Sequence, residues 1–290
     1  MTNEVAVISG KGGTGKTTIA AAFAAIASNI VMADCDVDAP DLHILLQPNM
    51  EKTEEFISSK IALIDEGSCT YCNLCQTHCR FDAVDPPDIN SISCEGCGVC
   101  EYICPERAIM MRDKVSGHIH ESSTHFGPMV HAKLLPGEGN SGKLVTEVRK
   151  RSVKFAERLG NEMVLIDGSP GIGCPVIATV SGLQLGIVVT EPTLSGIHDL
   201  KRVLDLMKQL WVRPAIIINK YDLNLDNSRV IERFCLDNSI EILGKLPFDT
   251  IMTESMIEGM TLPEYSPKHN LVKSLQRMWK RIENMMRMNP

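Results

Sequence analysis

Glu4-Val-Ala-Val-Ile-Ser-Gly-Lys-Gly-Gly-Thr-Gly-Lys-Thr17 runs from a short apolar strand straight into a glycine loop. In Gly10-Lys11-Gly12-Gly13-Thr14-Gly15-Lys16-Thr17 the glycines let successive backbone N–H groups turn toward phosphate oxygens. The Ala-rich stretch Thr17 to Ser28 reads as a helix, which adds the positive end of its dipole. Lys16 is then placed for the β and γ phosphates of a nucleotide, and the Thr17 hydroxyl for magnesium. Thr18 closes the candidate nucleotide-binding set. Ile30 to Ala33 reads as a second buried strand ending at Asp34, so the loop has the strand–turn–helix–strand context that its chemistry requires.

The same alternation returns beyond about residue 140. A helical pattern spans Ser141 to Leu159, and strand-like runs follow at Met163 to Ile166, Leu185 to Thr190, Ala215 to Ile218 and Glu241 to Leu246. Helical stretches at Leu194 to Leu210 and Asn227 to Asn238 separate them. Alternating β and α elements predict an α/β fold with a doubly wound, mostly parallel sheet. Between the two halves lies a Cys-rich block at 66–112, followed by a stretch from Gly117 to Leu135 that reads as a hairpin. The expected organisation is a discontinuous nucleotide-binding domain, 1–65 and 113–290, with the block 66–112 inserted.

Eight of the eleven cysteines fall in two runs, Cys69-x2-Cys72-x2-Cys75-x3-Cys79 and Cys94-x2-Cys97-x2-Cys100-x3-Cys104, the second followed by Pro105. The clustering and the odd count read as metal ligation rather than disulfides, with no signal peptide to suggest an oxidising compartment. The spacing is that of a pair of [4Fe-4S] clusters; zinc, the rival metal, rarely takes CxxCxxC twice. In two-cluster ferredoxins the fourth cysteine of each run serves the other cluster. On that pattern Cys69, Cys72, Cys75 and Cys104 hold one cluster, and Cys94, Cys97, Cys100 and Cys79 the other. Arg80 stands where the first run would carry a proline, which leaves the ligands intact but sets a positive charge beside one cluster.

Charge and composition narrow the function further. The net charge of −7 argues against non-specific nucleic-acid binding, and 4% aromatics leave little for stacking single strands. The longest apolar run, Ile19 to Ala33, is too short for a membrane span. The chain reads as cytoplasmic.

The loop with its extra Lys11 resembles the deviant Walker loop of the MinD/ParA/Mrp and nitrogenase iron-protein class of P-loop NTPases. With DCDVDAPDLH at 34–43, SGKLVTEVRK at 141–150, DGSPGIGCPV at 167–176 and the two cysteine runs, the whole chain resembles MinD-superfamily ATPases with an inserted bacterial-type ferredoxin domain. The resemblance implies ATP and Mg2+ as ligands, slow ATP hydrolysis, and an ATP-dependent homodimer in which Lys11 reaches the partner's nucleotide. Asp36 matches the family position that orients the attacking water near magnesium. Asp167 matches the one in the magnesium shell, and Gly171 gives its loop freedom to sense the γ phosphate. Asn219-Lys220 and Leu246-Pro247-Phe248-Asp249 resemble adenine-contacting segments.

Several features stand outside this frame. Cys174, seven residues past Asp167, resembles a cluster-ligating cysteine of the nitrogenase iron protein, though a buried structural role is the expectation. His118, His120, His125 and His131 crowd the hairpin and are expected at the surface, with His118 and His120 on one strand face. From Leu271 to Met288 a helix carries Leu271, Leu275, Met278, Ile282 and Met285 on one face, expected to pack on the sheet. The leading functional expectation is an ATP-driven electron carrier for a protein redox partner or a metalloenzyme client under maturation. An iron–sulfur carrier or scaffold, and a positioning ATPase with the clusters as redox sensor, are the alternatives.

Overall fold

The computed structural model describes residues 2–139 and 141–287; Met288, the far end of the expected terminal helix, lies outside them. The strands are β1 (Asn3–Ser9), β2 (Ile30–Cys35), β3 (Asn49–Ile64), β4 (Val84–Asp85), β5 (Asp88–Ile89), β6 (Ile109–Thr124), β7 (Gly127–Leu134), β8 (Met163–Pro170), β9 (Leu185–Thr190), β10 (Arg213–Asn219) and β11 (Glu241–Leu246). Two compact units divide the chain: Met1–Thr53 with His120–Ala132 and Ser141–Pro290, and Glu54–Ile119 with Lys133–Asn140.

The main sheet runs in the order β11-β10-β9-β1-β8-β2-β7-β6-β3, and the strands from β11 to β7 lie wholly or mostly in the first unit. The pairs from β11 through to β7 are parallel, with Val5 opposite Leu165 and Leu185, and Asp34 opposite Asp167. Strands buried on both faces must be apolar throughout, hence Val5-Ala-Val-Ile8 and Leu185-Gly-Ile-Val-Val189. Val5, Val7, Met32, Leu165, Ile187 and Ile217 face one layer, where helices Lys16–Ile26 and Asn270–Arg287 lie. The intervening Ala6, Ile8, Val164 and Ile166 point the other way, toward helices Ser141–Leu159, Cys174–Val180 and Leu194–Gln209. The sheet is thus doubly wound, and every parallel strand ends at one edge.

The terminal helix is part of this core. Leu271, Leu275, Met278, Ile282 and Met285 are buried, and the Trp279 ring lies 5.4 Å from that of Phe23 on the phosphate-loop helix. Among the described residues no helix is long and apolar enough to cross a membrane.

The hairpin Gly117 to Leu135 is β6 and β7, joined at 125–126. Its histidines depart from the surface expectation. His131 is buried, bonded through Nε2 to Ser122 Oγ at 3.0 Å and stacked 4.9 Å from His120, whose Nδ1 meets Thr53 Oγ1 at 2.9 Å. Burial, with the neighbouring His120 and His43, lowers the His131 pKa to about 4. Only His125 of the four is exposed.

The second unit has a small core: Ala62, Cys75, Val84 and Ile109, with Ile64, Ile89, Met111 and four more cysteines packed on it. Its short helices are Leu74–Thr77 and Val99–Ile103, and β4 pairs with β5.

Two outcomes follow for the first unit. Trp279→Ala should cost about 3–5 kcal/mol in denaturant unfolding, the usual loss for a large buried ring; a change within experimental error would place the helix outside the core. His131 is neutral in the folded chain while an unfolded histidine charges below about pH 6.5. Its contribution is therefore complete above pH 6.5 and shrinks as pH falls toward 4, by about 2 kcal/mol at pH 5. The drop should be missing from His131→Gln when the two proteins are compared by urea melts at pH 7.5 and 5.

Candidate functional site

Because parallel strands all finish at one edge, that edge collects their terminal residues. Here it holds the loop after β1, Asp36 after β2, Asp167 and Gly171 from β8, Glu191 after β9 and Asn219-Lys220 at the end of β10. The helix after the loop starts at Lys16, with Gly15 as its N-cap at φ +90. A Cβ on Gly15 would also stand 2.5 Å from Asn219 Nδ2, so glycine is needed there for two reasons.

Lys16 is 6% exposed and sits among carboxylates. Its Nζ lies 2.7 Å from Asp167 Oδ1, 3.5 Å from Asp36 Oδ2 and 3.2 Å from Thr17 Oγ1. Burial works against the ammonium, but Asp167, Asp36 and Asp34 outweigh it and hold the pKa above its ordinary value. Asp34 is fully buried; burial and the Asp167 charge push its carboxyl well above the usual range. Burial also raises Asp36, against the pull of Lys16. One ammonium thus faces three carboxyl groups, and Asp34 Oδ2, Asp167 Oδ2 and the Thr14 hydroxyl are buried without a partner. The arrangement is short of positive charge, and Thr17, Asp36 and Asp167 are the donors able to hold a hard divalent cation there.

The other expected residues divide. Asn219 Nδ2 donates to Thr14 O at 2.8 Å and Lys220 Nζ to Gly13 O at 2.9 Å, so both brace the phosphate loop. Gly171, at φ +94, donates its N–H to Ser9 O at 2.8 Å. Thr18 is buried with its hydroxyl against Met256 Sδ. Pro247 is half-buried just past β11, whereas Asp249 accepts from the Ile251 N–H and faces His269 at 3.6 Å. Lys11 is engaged within its own chain, on Glu191 Oε1 at 2.8 Å, Ser195 Oγ at 2.9 Å and Thr193 Oγ1 at 3.2 Å. Sequence reasoning placed Asp34 at the end of its strand without giving it a role, and it passed over Glu191. Their signal was position, each at or just beyond the end of a buried strand.

In the second unit Cys69, Cys72, Cys75 and Cys104 line one cavity, and Cys79, Cys94, Cys97 and Cys100 line another. The two runs repeat at 25 residues in backbone detail. Positive φ recurs at Tyr71 and Gly96, Asn73 and Gly98, Asp82 and Arg107. Ala83 N–H reaches Cys79 Sγ at 3.4 Å, and Ala108 N–H reaches Cys104 Sγ at 3.3 Å. A Cβ on Gly96 would fall 2.3 Å from Lys60 O, so the second run needs glycine where the first accepts Tyr71. Burial pushes the Cys75 and Cys100 thiols up. Among the described residues no three His, Cys, Asp or Glu side chains gather at the spacing of a single metal ion. Cys174 is exposed, not buried, at the first position of its helix, while Cys35 and Cys235 are buried.

The model of the CobQ/CobB/MinD/ParA nucleotide binding domain matches residues 5–262. An uncharacterized protein of Methanocaldococcus jannaschii is 33% identical over 283 residues, covering 97% of this chain and 96% of the relative. An iron–sulfur cluster carrier protein of Pyrococcus abyssi is 24% identical over 280 residues, 90% of this chain and 79% of the relative. In structure the chain is similar to the septum site-determining protein MinD of Pyrococcus horikoshii OT3 in complex with Mg-ADP. There the TM-score is 0.60 at 16% identity, over 98% of this chain and 97% of that one. The chain belongs to the CobQ/CobB/MinD/ParA nucleotide-binding family.

Lys16→Ala should abolish triphosphate binding measured by calorimetry. It should also lower the stability of the ligand-free protein by about 3–5 kcal/mol, since buried carboxylates lose their counter-ion. Unchanged binding would remove Lys16 from the site.

Proposed function

We propose that this member of the CobQ/CobB/MinD/ParA family is an ATP-binding and ATP-hydrolysing iron–sulfur protein. It couples a nucleotide-dependent homodimer switch to electron transfer through two [4Fe-4S] clusters, in the service of a redox metalloenzyme or its maturation. The observation that carries this reading is the sorting of eight thiols into two cavities of four, on a chain that also bears a phosphate loop. In domain terms the reading is an ATPase, 1–65 and 113–290, with a ferredoxin-type insert at 66–112.

The second unit fits the group it is asked to hold. Four thiols around an open space suit a cluster, whose ligands bracket a cube of iron and sulfide. Its small core is of the kind that metal binding completes. When bound, each cluster stores and passes single electrons. The chain's own part is to set the potential. The Ala83 and Ala108 N–H groups relieve charge on Cys79 and Cys104, and Arg80 adds a positive charge next to Cys79.

In the first unit Lys16 would leave Asp167 for the β and γ phosphates. Thr17, Asp36 and Asp167 would then take Mg2+, which answers the unpartnered Asp167 Oδ2. Asp36, the more exposed of the two carboxylates facing Lys16, is the one placed to orient a water. The dimer rests on the resemblance of Lys11 to the family's intersubunit lysine. The chain passes from one unit to the other along β3, β6 and β7, so displacement at the strand ends has a covalent path to the cysteine unit.

The Pyrococcus abyssi relative, by its name, favours a second reading as an iron–sulfur carrier. Complete sets of four thiols favour retention over delivery, which keeps it second. Packing of the terminal helix's apolar face in the core counts against the membrane version of the positioning-ATPase reading.

The test is an anaerobic EPR redox titration of the reconstituted protein with and without MgATP. Two clusters are expected, at least one shifting in potential or line shape with MgATP. Cys104→Ser should deplete the cluster beside Cys69, Cys72 and Cys75 rather than the one in its own run. Clusters indifferent to nucleotide would sink the coupling and leave transfer to an apo-protein as the deciding assay.

A further inference from the structure

Two segments follow the last strands of the sheet: Asn219 to Leu223 at the end of β10, and Pro247 to Asp249 after β11. The first is bolted to the phosphate loop. Asn219 Nδ2 donates to Thr14 O at 2.8 Å, Asn219 Oδ1 accepts the Lys220 N–H at 3.0 Å, and Lys220 Nζ donates to Gly13 O at 2.9 Å. Lys220 adopts φ +54, and one 3₁₀ turn, Tyr221–Leu223, follows. That turn is held as well. Leu223 N–H closes on Lys220 O at 3.1 Å, Ser228 Oγ donates to Tyr221 O at 2.6 Å, and Lys245 Nζ lies 5.1 Å from the centre of the Tyr221 ring. Asp222 then ties the two segments together, its Oδ1 accepting the Phe248 N–H at 2.6 Å. The residue is exposed, and among the described residues its carboxylate has no other hydrogen-bond partner. An ionised carboxylate accepts about four hydrogen bonds and donates none, so most of its acceptor capacity is left over. Asp249, the other carboxylate here, is already engaged by the Ile251 N–H and by His269.

A phosphate loop does not choose a base. Its backbone N–H groups and lysine engage every nucleoside triphosphate alike, so selection falls to the segments beside it. Guanine and adenine differ along one edge. Guanine carries two adjacent donors there, N1–H and the N2 amino group. Adenine carries an acceptor, N1, next to the N6 amino group. A carboxylate accepts from both guanine donors in parallel, which gives a strong charge-assisted pair, whereas adenine N1 set against it is repelled. We infer that the nucleotide site accepts a guanine base, with Asp222 taking N1–H and the N2 amino group. This rests on the nucleotide reading of the site and bears on the base alone: GTP joins ATP as a ligand, on the same loop and the same Lys16. Asp222 touches the base and not the reacting phosphate, so it determines specificity rather than chemistry. Its pre-organisation by Phe248 and the braced turn means that little ordering remains to be done when the base arrives.

The test is calorimetry on the whole protein with Mg2+ and three probes: GTP, ATP and xanthosine triphosphate. The wild type should bind GTP at least as tightly as ATP. Asp222→Asn keeps the size and the acceptor for Phe248 N–H, and replaces the second acceptor with an amide donor. It should lower the ratio of GTP to ATP affinity roughly ten- to hundredfold. Xanthine has a carbonyl oxygen where guanine has the N2 amino group, so its donor and acceptor match the new amide. The ratio of xanthosine triphosphate to GTP affinity should therefore rise by a similar factor in Asp222→Asn. Asp222→Ala, which offers neither group, should lose GTP without that gain. A merely structural role for Asp222 would weaken all three probes together and leave both ratios in place. Either ratio left in place overturns the inference, and so does ATP binding more tightly than GTP to the wild type; the nucleotide site stands in each case. Failure of the wild type to bind any of the three overturns the site and the inference together.

Discussion

Everything at the carboxyl-terminal edge of the sheet is arranged around one buried ammonium. Lys16 meets Asp167 and Asp36 directly and feels Asp34 behind them, in surroundings where an unpaired charge is expensive. The parallel sheet imposes this meeting. β1, β2 and β8 lie side by side in register, with Asp34 opposite Asp167, so their carboxyl-terminal residues converge on the helix that begins at Lys16. A single lysine cannot neutralise three carboxyl groups. Burial and the Asp167 charge push the Asp34 carboxyl well up, and Asp167 Oδ2 is left unpartnered. A site built with this deficit is prepared for a cation, and the phosphate loop beside it for an anion.

The second unit follows a different economy. One small cluster of it is built around Ala62, Cys75, Val84 and Ile109, with Cys79, Cys94, Cys100 and Cys104 packed against it. Tyr71 and Asn73 adopt positive φ without being glycine, a local strain that the surrounding structure must offset. The same positions in the second run are Gly96 and Gly98, and φ is positive there too. Two stretches of different composition thus share positive φ at matching positions and an N–H contact to the last sulfur of each run. On the reading proposed above, bound clusters add to the stability of this unit.

The alternation of β and α was legible because parallel strands and amphipathic helices carry unlike periodicities. Helix Ser141–Leu159 and strands Leu185–Thr190 and Glu241–Leu246 stand at their expected bounds. β3 was not legible. Met50-Glu-Lys-Thr-Glu-Glu55 has no apolar–polar alternation to mark it, yet it forms part of a 16-residue strand. β3 is the last strand of the sheet, and edge strands carry charge because one side has no neighbour to exclude water. The histidines misled for the converse reason. His120 and His131 are eleven residues apart in sequence, and only the pairing of β6 with β7 stacks them and takes His131 out of water. Cys174 was expected in the core, but its place at the first position of a helix leaves it exposed.

The sequence by itself determined the local chemistry: the loop and its helix, the carboxylates that end buried strands, the cysteine spacing, and the apolar faces of the helices. Each is a short-range pattern, set by backbone geometry within a few residues. Tertiary structure alone decided which charges meet. Glu191 binds Lys11 from 180 residues away, Asn219 braces Thr14 from 205, and Lys16 rests on Asp167 from 151. Those contacts depend on strand order and register, which no local pattern encodes, because they arise when distant strands are laid side by side and their ends are brought to one edge.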